Sequence, residues 1–194
     1  MKEPKPDAAT ERPRRRWPLA VAIGALVAVL GTAGWAAYRM VDPVEDYARG
    51  DAMCHSTGSP DAPPGIVTAP HIKVKPGRWL DVRSMNLVDG ENYRLAGAGV
   101  QNLVPTIGAI SYPVVDDGSP EVEAWRKRVE LPTRLGDGPN ESLIMALEPV
   151  DPGQESSVRT VHVEYRNEWG LPYGLDIGPT FAARPDCSID SEQG

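Results

Sequence analysis

The sequence predicts a mainly β protein, with one antiparallel β-sandwich preceded by a single N-terminal transmembrane helix. Three observations predict it. Pro18 to Tyr38, PLAVAIGALVAVLGTAGWAAY, is an uncharged run of 21 residues. From Gly65 onward, short apolar or alternating runs are broken by Gly-, Pro- and Asp-rich turns. The only two cysteines, Cys54 and Cys187, bracket that region almost end to end.

The apolar run comes first. At 1.5 Å per residue it reaches roughly 31 Å as a helix, close to the ~30 Å hydrocarbon core of a bilayer. A helix also satisfies its own backbone there. Trp17 stands at one end and Trp35 and Tyr38 at the other, where amphipathic rings prefer the interface. Pro18 falls in the first turn, where a missing N–H costs nothing. Arg12, Arg14, Arg15 and Arg16 precede the run, whereas Arg39 is soon followed by Asp42, Glu45 and Asp46. The positive-inside rule therefore predicts a single-pass protein of the cell membrane, with its N-terminus cytoplasmic and its C-terminal domain extracytoplasmic. A cleaved signal peptide competes, since it too needs a basic and an apolar region. The anchor is preferred because Gly34-Trp35-Ala36-Ala37-Tyr38 offers no good small-x-small pair before a plausible cut. Ala20, Gly24, Ala28 and Gly31 form a small-residue face that allows a homodimer, although a strict Gly-x-x-x-Gly is absent.

The chain divides accordingly. Residues 1–16 are expected to be a disordered basic cytoplasmic tail, 17–38 the transmembrane helix and 39–64 an extracytoplasmic stalk or linker. Residues 65–187 are expected to be the β-sandwich domain and 188–194 a disordered C-terminal tail. The linker reading rests on CHSTGSPDAPPG, rich in Ser, Gly and Pro, with a short helical turn over Val41, Val44, Tyr47 and Ala48 before it. Residues 1–16 carry a net charge of +3 and residues 39–194 a net charge of −10. A body of that sign excludes a nucleic-acid partner, which needs a basic surface. Membrane lipid, contacted through residues 17–38, and a protein partner at the cell surface are the partners expected.

Several β runs are read in order. Ile66 to Lys75 alternates loosely and ends at the Pro76-Gly77 turn. Trp79 to Val88 follows and stops at Asp89-Gly90. Tyr93 to Leu95 and Val100 to Val104 flank a Gly97-Ala98-Gly99 bend. Ile107 to Val115 places Ile110, Tyr112 and Val114 on one face. Glu121 to Leu131 fits helix or strand, and its neighbours favour strand. Ser142 to Val150 is apolar enough for a buried strand. Val158 to Asn167 alternates cleanly, with Val161, Val163 and Tyr165 inward and His162, Glu164 and Arg166 outward. Glu168 to Pro172 turns the chain into a last strand, Tyr173 to Phe181. About seven or eight short strands with regular turns make an immunoglobulin-like sandwich the economical fold. On the oxidising side of a membrane Cys54 and Cys187 are expected to pair. Their wide spacing does not suit a zinc site.

From Ser142 to Cys187 the apolar strand, the Pro152-Gly153 connection, VRTVHVEYRN, the aromatic-Gly turn and the final strand form a layout. With the basic tail and apolar helix, it resembles single-pass membrane proteins of actinobacteria that carry an immunoglobulin-like extracytoplasmic domain. The resemblance implies topology and fold. That family has no assigned activity, so no functional residue is implied.

Catalytic and metal signatures are absent from the sequence. His55, His71 and His162 are far apart and lie in no metal-binding motif. Met53-Cys54-His55 groups soft ligands, but reads better as a stalk segment beside a disulfide. Asp116-Asp117 and Asp137 to Glu141 have carboxylates for weak calcium binding, but read first as turns. Gly-x-Ser-x-Gly, Ser-x-x-Lys, P-loop and dinucleotide fingerprints do not occur. No catalytic, cofactor or metal residue is therefore assigned. Among Trp79, Trp125, Trp169 and Tyr173, the pair Trp169 and Tyr173 is taken as the exposed binding aromatics. The expected function is a non-catalytic binding or structural role at the cell surface. The alternative is an enzyme or metal carrier whose histidines and acids converge in the fold.

Overall fold

The computed structural model describes residues 17–47, 53–56, 65–104, 108–178, 180–185 and 187. The expected tails, 1–16 and 188–194, lie outside the described residues. The chain forms two units, residues 1–41 and 42–194.

The first unit is helix α1, Trp17–Met40. It is long and apolar enough, by length and composition, to cross a membrane. Its apolar side chains, among them Val21, Ile23, Leu26 and Leu30, are exposed. The hydroxyl of Thr32 donates back to the carbonyls of Ala28 and Val29 at 3.0 Å, so this polar group is satisfied within the helix.

The second unit is mainly β. In chain order it holds β1 (Val44–Tyr47), β2 (Met53–Ser56), β3 (Gly65–Thr68), β4 (Ile72–Val74), β5 (Trp79–Val88), β6 (Tyr93–Gln101) and β7 (Ile110–Tyr112). Helix α2 (Pro120–Lys127) follows, then β8 (Val129–Glu130), β9 (Thr133–Gly136), β10 (Ser142–Pro149) and β11 (Ser156–Val158). The last strands are β12 (Thr160–Asn167), β13 (Pro172–Ile177) and β14 (Phe181–Arg184). Antiparallel pairing builds a five-stranded sheet in the order β7-β3-β10-β6-β8 and a four-stranded sheet in the order β13-β12-β5-β9. Strands β1 and β4 make a separate antiparallel pair. In a three-stranded sheet β14 pairs with β11 antiparallel and with β2 in parallel.

Strand β10 is buried along Leu143 to Leu147, which explains its unbroken apolar sequence. Ile144 and Ala146 pack with Val67, Ala124 and Trp125. The alternate residues Leu143, Met145 and Leu147 occupy the opposite face and are also fully buried. Ile110, Tyr112 and Val114 join the Trp125 cluster, on one face as expected. Strand β12 buries Val161, Val163 and Tyr165 and turns Glu164 and Arg166 to solvent, again as its alternation predicts.

Five expectations are corrected. Residues 120–127 are helical rather than extended. Ser119 caps the helix, accepting from Val122 N at 3.3 Å, and Pro120 opens it. Glu121 and Glu123 in its first turn and Arg126 and Lys127 in its last suit the helix dipole. The Gly97-Ala98-Gly99 stretch is no bend but part of β6. A Cβ on Gly97 would meet Trp125 at 3.2 Å and one on Gly99 the Val129 carbonyl at 2.4 Å, so these glycines make room for the indole and for β8. Ile66 to Lys75 divides into β3 and β4, in different sheets, around Pro70, which cannot donate to a ladder. Tyr173 to Phe181 likewise divides into β13 and β14 around Gly178, whose φ is +86°. Finally, the described parts of 39–64 are not a linker. Val44–Tyr47 pairs with β4 and Met53–Ser56 with β14.

The Cys54–Cys187 disulfide is formed, with a Cα–Cα distance of 5.7 Å. It clips the β2 segment to the chain just beyond β14.

Candidate functional site

The β12–β13 connection is held by one buried side chain. Asn167 is 2% exposed. Its Oδ1 accepts from the amides of Trp169 and Leu171, both at 3.0 Å. Its own amide donates to the Leu171 carbonyl at 3.1 Å, and its carbonyl accepts from Gly170 N at 2.9 Å. Gly170 supplies the left-handed residue that this loop needs, with φ +78°. Five residues thus close on themselves and leave Trp169 60% exposed and Leu171 39% exposed.

Arg78 flanks the turn. Its guanidinium carbon lies 4.8 Å from the Trp169 ring centroid, and its Nε is ion-paired with Glu168. The indole is therefore held from one side by a cation whose charge is already balanced. A second cation–aromatic pair stands on the same sheet, with Arg134 Cζ 3.8 Å from the Trp79 ring. Trp and Arg are both residue types enriched in binding hot spots. A turn already ordered in this way has less conformational entropy to lose than a mobile one.

Tyr173, expected to be exposed with Trp169, is only 8% exposed. Alternation places it on the inward face of β13, where it stacks on Tyr165 at 5.4 Å between centroids. Tyr165 in turn donates its hydroxyl to Asp42 Oδ1 at 2.9 Å. Of the two aromatics, Trp169 alone is presented to solvent.

The open face of the four-stranded sheet carries polar pairs. His162 Nδ1 lies 2.6 Å from Asp176 Oδ1, its ring over Gly174, where a Cβ would meet Cε1 at 2.9 Å. Ser84 donates to Glu164 at 2.7 Å. The hydroxyl and the imidazole are thus bound to different carboxylates. His55 belongs to β2, His71 directly precedes β4 and His162 lies in β12, and these three strands belong to three different sheets. Among the described residues, no group of three or more His, Cys, Asp or Glu is placed to hold a metal ion. The acidic loops serve as turns. Asp117 accepts from Ser119 N at 2.8 Å, and bonds from the Ser119 side chain and backbone hold its carboxyl below the usual range. Asp116 pairs with Arg126, Asp137 accepts from Gly77 N at 2.7 Å, and Glu141 accepts from Gly136 N. Two open clefts, of about 400 and 260 Å³, flank Gly136 and Glu141, with His71 and Lys73 along the larger and Lys127 and Arg134 along the smaller.

No family model matches the chain, and neither the curated proteins nor the solved structures give a significant match.

Sequence reasoning placed Trp169 at the surface but missed what fixes it. The signal was present. Asn two positions before Trp169, with Gly at 170, is the pattern of a side chain that bonds the backbone of its own turn. The Arg78 contact is carried by strand register and has no local signature.

Proposed function

We propose that this is a single-pass membrane protein whose β domain lies outside the cell and has a non-catalytic binding or structural role at the cell surface. Helix α1 is its membrane span and residues 1–16 its cytoplasmic tail. The observation that carries the reading is the preorganised Trp169 turn, displayed on a disulfide-closed body that begins two residues after an exposed apolar helix. A disulfide favours an oxidising compartment, and Arg12 to Arg16 favour a cytoplasmic N-terminus. Two antiparallel sheets, each with a buried face, support an immunoglobulin-like sandwich as the body's architecture. The layout similar to actinobacterial membrane proteins is part of the same proposal.

A membrane-impermeant maleimide on intact cells tests it. Cys54 and Cys187 should label only after reduction, in a protein whose intact mass retains the apolar segment. Labelling only after lysis would refute the topology, and a mass lacking α1 would refute the anchor.

A further inference from the structure

The body's own contacts show which residues lie near Asp42, its first residue. Tyr165 bonds to Asp42 at 2.9 Å. Lys75 donates its amide to the Pro43 carbonyl at 2.8 Å and its Nζ to the Asp42 carbonyl at 2.6 Å. A turn then closes from Arg78 N to Lys75 O at 3.0 Å, and Arg78 lies against the Trp169 ring. Asp42, Lys75, Arg78 and Trp169 therefore share one end of the body. Met40, the last residue of α1, is two residues before Asp42. Two extended steps cover at most ~7 Å. The headgroup layer of one leaflet is itself roughly 5–7 Å deep. Asp42 therefore cannot lie farther than that from the last residue of α1.

We propose that the Trp169–Leu171 turn seats in the lipid headgroup region of the membrane that α1 spans, giving the body a second contact with lipid. This rests on the anchor reading above. Indole combines an apolar body with one N–H donor, which suits the boundary between acyl chains and headgroups. Leu171 adds apolar surface beside it. The nearby charges are largely paired, Arg78 with Glu168 and Lys73 with Glu45. Recognition is therefore aromatic and apolar, and indifferent to headgroup charge.

The test uses the full chain in phosphatidylcholine vesicles brominated either near the top or near the end of the acyl chains. The difference between wild type and Trp169→Phe isolates the emission of Trp169, and a Trp17→Phe/Trp35→Phe variant isolates that of the helix. Shallow bromines should remove about half of the Trp169 emission and deep bromines little of it, as for an interfacial ring. Aqueous iodide should reach Trp169 poorly, and added phosphatidylglycerol should change neither result. Leu171→Ser should raise iodide access. Each variant is checked for folding by cysteines that resist maleimide until reduced. Quenching of the helix tryptophans with Trp169 open to iodide would overturn the seating, leave the anchor standing and assign the turn to a protein partner. Failure to quench the helix tryptophans would overturn both.

Discussion

The five-stranded and four-stranded sheets each centre on a pair of long strands, β10 with β6 and β12 with β5, yet they meet water differently. In the first, β10 is buried on both faces, because α2 lays Trp125 across Ile144 and Ala146. In the second, β12 buries Val161, Val163 and Tyr165 while Glu164 and Arg166 stay solvated. A covered sheet has little surface left for recognition. The half-open one carries the polar pairs and, at the end of its β12–β13 hairpin, the exposed Trp169. Structure and surface chemistry are thus assigned to different sheets of one body.

The largest effect should come from uncovering the first sheet. Trp125→Ala should destabilise the body by about 3–5 kcal/mol in urea unfolding, as large-to-small changes in a core do. Glu164→Ala, on the open face, should lose no more than about 1 kcal/mol. Equal losses at the two positions would erase the distinction between the sheets. Next comes the element that belongs to neither. Replacing Cys54 and Cys187 by serine should cost about 2–5 kcal/mol, because the bridge joins residues 133 positions apart. A wild-type urea midpoint unchanged by reductant would rule that contribution out.

A smaller effect is expected within the second sheet. Asn167→Ala leaves the amides of Trp169 and Leu171 without their acceptor, at about 1–3 kcal/mol. Hydrogen exchange should quicken at those two amides and stay slow in β10. If β10 exchanges equally fast, the turn is not an independent feature of the open sheet. Near neutral pH the last effect, which lies in the covered sheet, vanishes, because it depends on pH. Burial disfavours the Tyr93 phenolate and raises its pKa from 10.0 to about 12. Below pH 10 the phenol is protonated in both folded and unfolded chains, so it leaves stability unchanged. As pH climbs from 10 to about 12 the unfolded chain ionises first and stability falls. Tyr93→Phe should flatten that alkaline limb, and an unchanged limb would place the cause elsewhere.

The same contrast governs what could be read from the sequence. The alternation of β12 and the apolar run of β10 are local records of their surroundings, and both were legible. The α2 stretch was ambiguous because Val122, Trp125 and Val129 fit a helical period while its neighbours are strands. The Ser119-Pro120 cap decides it. Gly97 and Gly99 read as a bend because their reason, the approach of Trp125 and of the Val129 carbonyl, lies some 30 residues away in the chain. Strands β1 and β2 looked like linker because four-residue segments among Ser, Gly and Pro carry too little pattern. At the site, Trp169 was legible as an exposed turn residue. Tyr173 was misplaced by one step of alternation, and the contacts of Asp42 and Arg78 depend on pairing across the fold.

The sulfur bridge also has a mechanical consequence. Tension applied to the chain beyond Cys187 crosses directly to Cys54 and runs back through residues 42–53 toward α1. The loop between the cysteines, which are 133 positions apart, hangs beside that line rather than along it. Among the described residues, that direct path holds β1, paired with β4 from Val44↔Val74 to Tyr47↔Ile72, and the start of β2, Met53 and Cys54. While the bridge is intact, both large sheets are shielded from a pull. Reducing it places every strand in series and lets the same force unravel the body.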